Sequence, residues 1–199
     1  MVNEVKSKYH ISLNRKISIY LYPQEIAQSE IGTINGGFYN LLTNKVHNVL
    51  STPFYYPKTD NYSLLGDHET VHALFLNSFG ISNSQLMVEG IAVAIDKGYG
   101  NELRNGKNIR KSIFDIVRFQ RDNNQLLSIK DLCTDNGAEC LFYPQAGVFI
   151  EWLINTYGID TYKNVYRNTY KKMINQTKKY FGISIEQLEL NYHNYLLTL

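Results

Sequence analysis

The chain has 199 residues, 20 Lys+Arg against 18 Asp+Glu for a net charge of +2, and 44% apolar residues. That length and apolar fraction suit one domain with an ordinary core and exclude wholesale disorder, while the near-neutral balance argues against a nucleic-acid binder driven by phosphate charge. No run approaches the ~20 apolar residues that cross a bilayer, and the polar stretch 1–16 lacks the apolar segment of a signal peptide.

No internal repeat or low-complexity tract interrupts the chain, so a single domain over 1–199 is expected. The first fifty residues read as strands. KISIYLY at 16–22 alternates, with Ile17, Ile19 and Leu21 on one face. GGFYNLLTNKVHNVL at 36–50 reads as two short strands joined by a turn at Asn44-Lys45. From residue 64 the pattern becomes helical. One helix is expected over 64–77, stopped at Gly80, and a second over 82–97, begun by a Ser-x-x-Gln capping box at Ser82 and Gln85. Gly98, Gly100 and Gly106 mark a loop, followed by an amphipathic helix over 108–122. Pro144 suits the first position of a helix reaching 156. Two more helices are expected over 160–174 and 184–197, the last with its own box at Ser184 and Gln187. The fold class is therefore α+β: a small N-terminal sheet lobe (about 1–63) followed by a mainly helical lobe (about 64–199).

His68-Glu69-Thr70-Val71-His72 fits H-E-x-x-H. Residues four apart share a helix face, so both imidazoles reach one Zn²⁺ while Glu69 sits beside the remaining coordination position. The bland reading is a helix whose two histidines fill polar gaps in a core. Catalytic zinc takes three protein ligands and an open position, and two His with one Glu is an established set. Glu89 supplies the carboxylate, seventeen residues after His72. The Gly80 break lets the chain reverse, so the second helix can pack antiparallel on the first with Glu89 about two turns in. Glu89, Ala92, Val93 and Asp96 share one face there, and a carboxylate among Ala and Val needs a partner. Otherwise Glu89 is a solvated surface acid.

HETVH followed by VEGIAVAI at 88–95 resembles the gluzincin metallopeptidases, whose second helix carries the glutamate ligand in an E-G-[IF]-A context. The likeness is to the peptidase MA-like group and to the catalytic domain of aminopeptidase-N-type enzymes. It extends more weakly through YPQAGVFIEWL at 143–153, NTYGID and FGISIEQLE. The resemblance implies a zincin-like fold with the zinc site between the two lobes. It also implies that Tyr143 is the tyrosine donating a hydrogen bond to the tetrahedral intermediate, with Ala146 and Gly147 small enough to let that helix approach; the bland reading of Tyr143 is a packing residue. One position departs from the family. Thermolysin-like members place an acid four residues after the glutamate ligand to orient a zinc histidine, and here that residue is Val93. Asp96, Asp67 or a backbone carbonyl are the alternatives.

These residues imply peptide-bond hydrolysis with one Zn²⁺ per chain held by His68, His72 and Glu89. The metal lowers the pKa of its water and polarises the scissile carbonyl, Glu69 moves the proton from water to the leaving amine, and Tyr143 stabilises the oxyanion. The alternatives are a non-catalytic zincin-fold binding module and a helical structural domain with an accidental HETVH. The expected partner is a peptide or protein substrate, with no nucleic acid and no membrane-spanning segment; oligomeric state is open. GGFYN at 36–40 resembles the family's Gly-x-Met-Glu-Asn edge-strand motif, which makes Gly37, Phe38 and Tyr39 candidate substrate contacts. In aminopeptidases of this type the motif's glutamate holds the free α-ammonium. Tyr39 stands at that position and is neutral at pH 7, so an endopeptidase is expected rather than an aminopeptidase. Glu25 or Glu30 are the other acids that can replace it. Cys133 and Cys140, the only two cysteines, are expected to form a disulfide; that implies an oxidising, extracytoplasmic compartment, with unconnected thiols in the cytoplasm as the alternative.

Overall fold

Short polar-rich segments around two glycine- and asparagine-marked turns build the N-terminal part of the chain. The computed structural model describes residues 2–13, 15–33, 36–50, 67–104, 107–134, 138–167 and 170–199. It opens with α1 (Val2–Lys8), β1 (Ser18–Pro23), α2 (Gln24–Ile31), β2 (Gly37–Asn40) and β3 (Lys45–Leu50). The three strands form one sheet in the order β1-β3-β2. β1 runs parallel to β3, with Tyr20 opposite His47, and β2 runs antiparallel to β3, with Phe38 opposite His47.

The hairpin turn spans 41–44, earlier than the expected Asn44-Lys45: it includes Asn44, but Lys45 already opens β3 opposite Asn40. Asn44 adopts φ +56°, a left-handed conformation that asparagine tolerates better than most side chains. The Asn40 carboxamide accepts from the Leu42 and Thr43 N–H groups at 3.0 and 3.2 Å, which closes the turn. The expectation of strands alone across the first fifty residues is corrected by α1 and α2. α2 buries only Ala27, so it carries no apolar stripe for a periodicity reading to find. It begins directly after Pro23 and ends at Gly32, whose φ of +76° allows its N–H to reach the Gln28 carbonyl.

The helical part begins with α3 (Asp67–Phe79) and α4 (Gln85–Asp96). Residues 64–66 of the expected first helix lie outside the described residues. α3 stops before Gly80 (φ +86°), as expected. α4 starts later than expected: its N-cap is Ser84, and Ser82 instead accepts from the Ser84 N–H at 3.2 Å, so no capping box forms there. β4 (Gly98–Arg104) and β5 (Lys107–Ser112) then pair as a two-stranded sheet. They replace the expected glycine loop and the first turns of the expected helix, and α5 (Ile113–Asp122) is accordingly short. Gly106 lies outside the described residues.

α6 (Ile129–Thr134) leads to α7 (Glu139–Tyr157), which begins five residues before Pro144 rather than at it. A proline inside a helix leaves the carbonyl four residues earlier without its N–H partner. Here that carbonyl belongs to Cys140, and the Gln120 side chain donates to it at 2.9 Å. Gln120 in turn accepts from Gln145 at 3.0 Å, and Gln145 also bonds the Gln125 carbonyl and the Leu127 N–H. Two buried glutamines thereby satisfy the interrupted helix and the loop after α5. The expected helix over 160–174 is divided into α8 (Ile159–Tyr166) and α9 (Tyr170–Asn175), followed by α10 (Thr177–Phe181). α11 (Ile185–Leu196) opens on Ser184, whose hydroxyl accepts from the Gln187 N–H at 3.3 Å.

The fold is thus mixed α and β and mostly helical, with a three-stranded and a two-stranded sheet. The chain divides into two compact units, Met1–Ser78 with Gly100–Lys111, and Phe79–Tyr99 with Ser112–Leu199. The expected boundary near residue 63 lies outside the described residues, and α3 belongs with the sheet rather than with the later helices. The first unit has a core that includes Val46, Val71, Leu74 and Phe75, with Tyr9 edge-on to Phe75 at 5.6 Å. The second is organised by α4 against α7. A Cβ on Gly90 would stand 3.0 Å from the Ala146 carbonyl oxygen and one on Gly147 2.6 Å from Val93, so two glycines permit the close approach. Trp152 is core, packed with Phe149 and Tyr192.

Candidate metal centre

α3 places His68 and His72 on one face, one turn apart, with Glu69 beside them. The two imidazole rings meet edge to face with centroids 4.6 Å apart. One potential ligand atom from each of His68, Glu69 and His72 lies within 4.8 Å of the others. Ligand atoms around a tetrahedral zinc are about 3.3 Å apart, so the two imidazoles stand at a spacing that one ion can bridge, with the Glu69 carboxylate close beside them. Two imidazoles with a carboxylate is also a donor chemistry that suits zinc. His72 is buried and His68 and Glu69 are half-buried. Thr70, Val71, Ala73, Leu74 and Phe75 are all buried, which fixes the rotation of α3 and hence the direction of the histidine face.

A polar knot ties the last turns of α3 to the β2–β3 turn. The Asn77 amide donates to the Asn44 carboxamide oxygen at 2.8 Å and to the Ala73 carbonyl at 2.7 Å. The Tyr39 hydroxyl donates to the same Asn44 oxygen at 2.7 Å, Arg15 donates to Asn77 at 2.7 Å, and Asn44 donates to the Lys16 carbonyl at 2.6 Å. Tyr39, a candidate substrate contact from the sequence, therefore uses its hydroxyl within the fold. Gly37 pairs with Asn48, and a Cβ there would run into the Asn48 side chain and the His47 carbonyl, which explains the glycine. Phe38 is half-exposed and stacks on the His47 ring at 4.8 Å; Tyr20 stacks on the opposite strand neighbour at 5.4 Å.

In the second unit, α4 carries Glu89 half-buried, with Ala92, Val93 and Asp96 buried on the expected face. Val93 fills the space over Gly147 and is 1% exposed, so it is a packing position. The Asp67 side chain lies outside the described residues. Tyr143, on α7, stacks on Tyr99 at 5.5 Å and meets Phe142 edge-on at 5.5 Å, which holds the ring. Burial, and then the negative charge of Glu89, push the Tyr143 phenol above its ordinary range, with a Gln85 hydrogen bond pulling weakly the other way. Burial and the Glu89 charge act in the same direction on Tyr166. Tyr99 and Tyr166 carried no sequence signal, because their proximity to Tyr143 and Glu89 is created by tertiary packing.

The structure thus assembles His68, Glu69 and His72 in one unit, and brings Glu89 near Tyr143 in the other. It does not form the expected disulfide: Cys133 and Cys140 are both free thiols, the first buried and the second exposed. Burial and the charge of Glu189 push the Cys133 thiol up to about 12. No described helix is long and apolar enough to cross a membrane. No family model matches the chain, and no curated protein shows significant similarity to it.

Proposed function

We propose that this chain is a zinc-dependent metallopeptidase that hydrolyses peptide bonds, with one Zn²⁺ held by His68, His72 and Glu89. The observation that carries the reading is the His68–Glu69–His72 cluster, two imidazoles and a carboxylate converging from one turn and a half of a helix, with Thr70 and Val71 between them buried. Glu89 enters as third ligand from the sequence pairing of HETVH with VEGIA, as does the zincin-like fold. When bound, zinc supplies Lewis acidity toward water and toward a carbonyl oxygen. Glu69 takes the proton of the attacking water and delivers it to the leaving amine. Tyr143 donates a hydrogen bond to the developing oxyanion; burial and the neighbouring charge keep it protonated, hence a donor, well above neutral pH.

The substrate reading is an endopeptidase. β2 pairs with β3 alone among the described strands, so its other edge suits addition of an extended peptide, which selects no chain end. Tyr39 brings no charge for a substrate ammonium, and its hydroxyl already bonds Asn44. The test is elemental analysis of purified protein beside His68→Ala, followed by cleavage of internally quenched peptides. About one zinc per chain in the wild type, lost in the variant, is expected, since ligand removal abolishes a three-ligand site. A wild-type protein that takes up no zinc from excess metal sinks the proposal. Zinc uptake without cleavage of any peptide would favour the binding-module alternative.

A further inference from the structure

β1 pairs with β3 alone among the described strands, so its other edge is open, and the six residues SIYLYP that build it carry no charge. Ile19, Tyr20 and Leu21 run consecutively along it at 40%, 41% and 41% exposure. Natural edge strands are normally blunted by charged side chains, bulges or a covering element. β1 has only Pro23, at its last residue. An uncharged apolar strand with an unpaired edge either aggregates or is covered by another chain.

The backbone fixes which groups point outward. The Ser18 N–H donates to the Asn44 carbonyl at 3.3 Å, so Ser18, and by alternation Tyr20 and Tyr22, turn their backbone polar groups toward β3. Ile19 and Leu21 therefore present theirs to the open edge. We propose that this edge pairs antiparallel with β1 of a second copy of the chain, across a two-fold axis at Tyr20, so that two three-stranded sheets join into one of six strands. In that register Ile19 stands opposite the partner's Leu21, and Leu21 opposite the partner's Ile19. Each pair exchanges two N–H···O bonds, because the backbone groups of all four residues point outward. Pro23, opposite the partner's Ile17, offers no N–H and ends the ladder. Tyr20 meets the partner's Tyr20 in the non-hydrogen-bonded position, where side chains come closest. Its ring is already held within its own sheet, stacked on His47 at 5.4 Å with the Lys45 ammonium at 4.8 Å, so little freedom is left to lose on association.

The occupant is a second copy because β1 is complementary to itself. Lys16 lies two residues before the strand and Glu25 two after, both exposed. An antiparallel mate brings each Lys16 toward the partner's Glu25, whereas parallel pairing sets like charges together. A two-fold interface of this kind closes on itself and leaves no apolar edge at β1 to propagate. The free edge of β2 is not used, so the inference stands apart from the peptidase reading.

The test measures molar mass by light scattering and sedimentation over a dilution series of the full chain. Wild type should approach twice the chain mass as concentration rises. Ile19→Lys and Leu21→Glu should each weaken the dimer by at least about tenfold, since each sets a lone charge against an apolar side chain at two symmetric positions. The double variant should recover most of that loss, because the opposite charges then face each other across the interface. Tyr20→Cys, made with Cys140→Ser, adds a readout that does not depend on charge: mild oxidation should link two copies. Leu21→Cys in the same background should not link, since Leu21 faces the partner's Ile19. A wild type that stays monomeric up to its solubility limit overturns the proposal, as does an open series of higher masses. Single variants that dimerise like wild type, a double variant no better than the worse single, or equal linking at the two cysteine positions also overturn it.

Discussion

Replacing Gly147 with alanine puts a methyl group 2.6 Å from Val93 Cγ1, 3.1 Å from Val93 Cβ and 3.2 Å from Ile113 Cδ1. Carbon pairs rest about 3.5–4.0 Å apart, so α4 and α7 must separate or Val93 must leave its rotamer. Overpacking of this kind costs about 1–3 kcal/mol, offset by about 1 kcal/mol because alanine is the better helix former. The net expectation for Gly147→Ala is a loss of up to about 2 kcal/mol. Val93→Ala alone removes two methyl groups from a side chain that is 1% exposed, costing about 2–3 kcal/mol in lost burial and cavity. In the double variant the new methyl occupies the space those groups leave. The pair should therefore be less destabilised than the sum of the singles by about 1–2 kcal/mol, a coupling typical of residues in direct contact. Trp152, buried in the same unit, reports the transition through its fluorescence in a urea titration. Additivity within about 0.5 kcal/mol would show that Val93 does not set the α4–α7 distance.

Glu69→Gln should keep its zinc and its fold yet lose on the order of 10²–10⁴ in turnover, and Tyr143→Phe on the order of 10²–10³ in kcat; quenched-peptide kinetics on metal-analysed protein check both. Cys140, exposed, should react quickly with a maleimide, whereas Cys133, buried and with its thiol pushed up to about 12, should react only on unfolding; mass spectrometry counts the labels. His47 is held below its ordinary 6.5 by burial and by the Lys45 charge. The unfolded chain then takes up the proton more readily, so this stabilisation is present above that value and lost as pH falls through the folded pKa. Thermal melts between about pH 7.5 and pH 5 should show an acid loss that is smaller in His47→Phe.

Local properties were legible from residues alone. The four-residue spacing of His68 and His72 is a helix repeat, so one periodicity sufficed to put both rings on one face with Glu69 beside them. The β2–β3 hairpin followed from alternation and from Asn44, and the α11 start from Ser184 and Gln187. The Asn105-Gly106 pair is likewise a hairpin signature between the segments that form β4 and β5, though the glycines around it suggested a loop. α2 escaped because a helix that buries a single alanine has no stripe.

Tertiary structure decided the rest, because the deciding partner lies far along the chain. Pro144 sits inside α7 only because Gln120, twenty residues before Cys140, bonds the carbonyl that the proline frees. Six residues separate Cys133 from Cys140, a spacing that permits a bridge, but packing buries one cysteine and exposes the other. Val93 is a packing residue because Gly147, more than fifty residues later, opposes it. The histidine pair is written in the sequence as a local repeat; which phenols feel the charge of Glu89 is settled by α7 and α8, whose packing no single segment encodes.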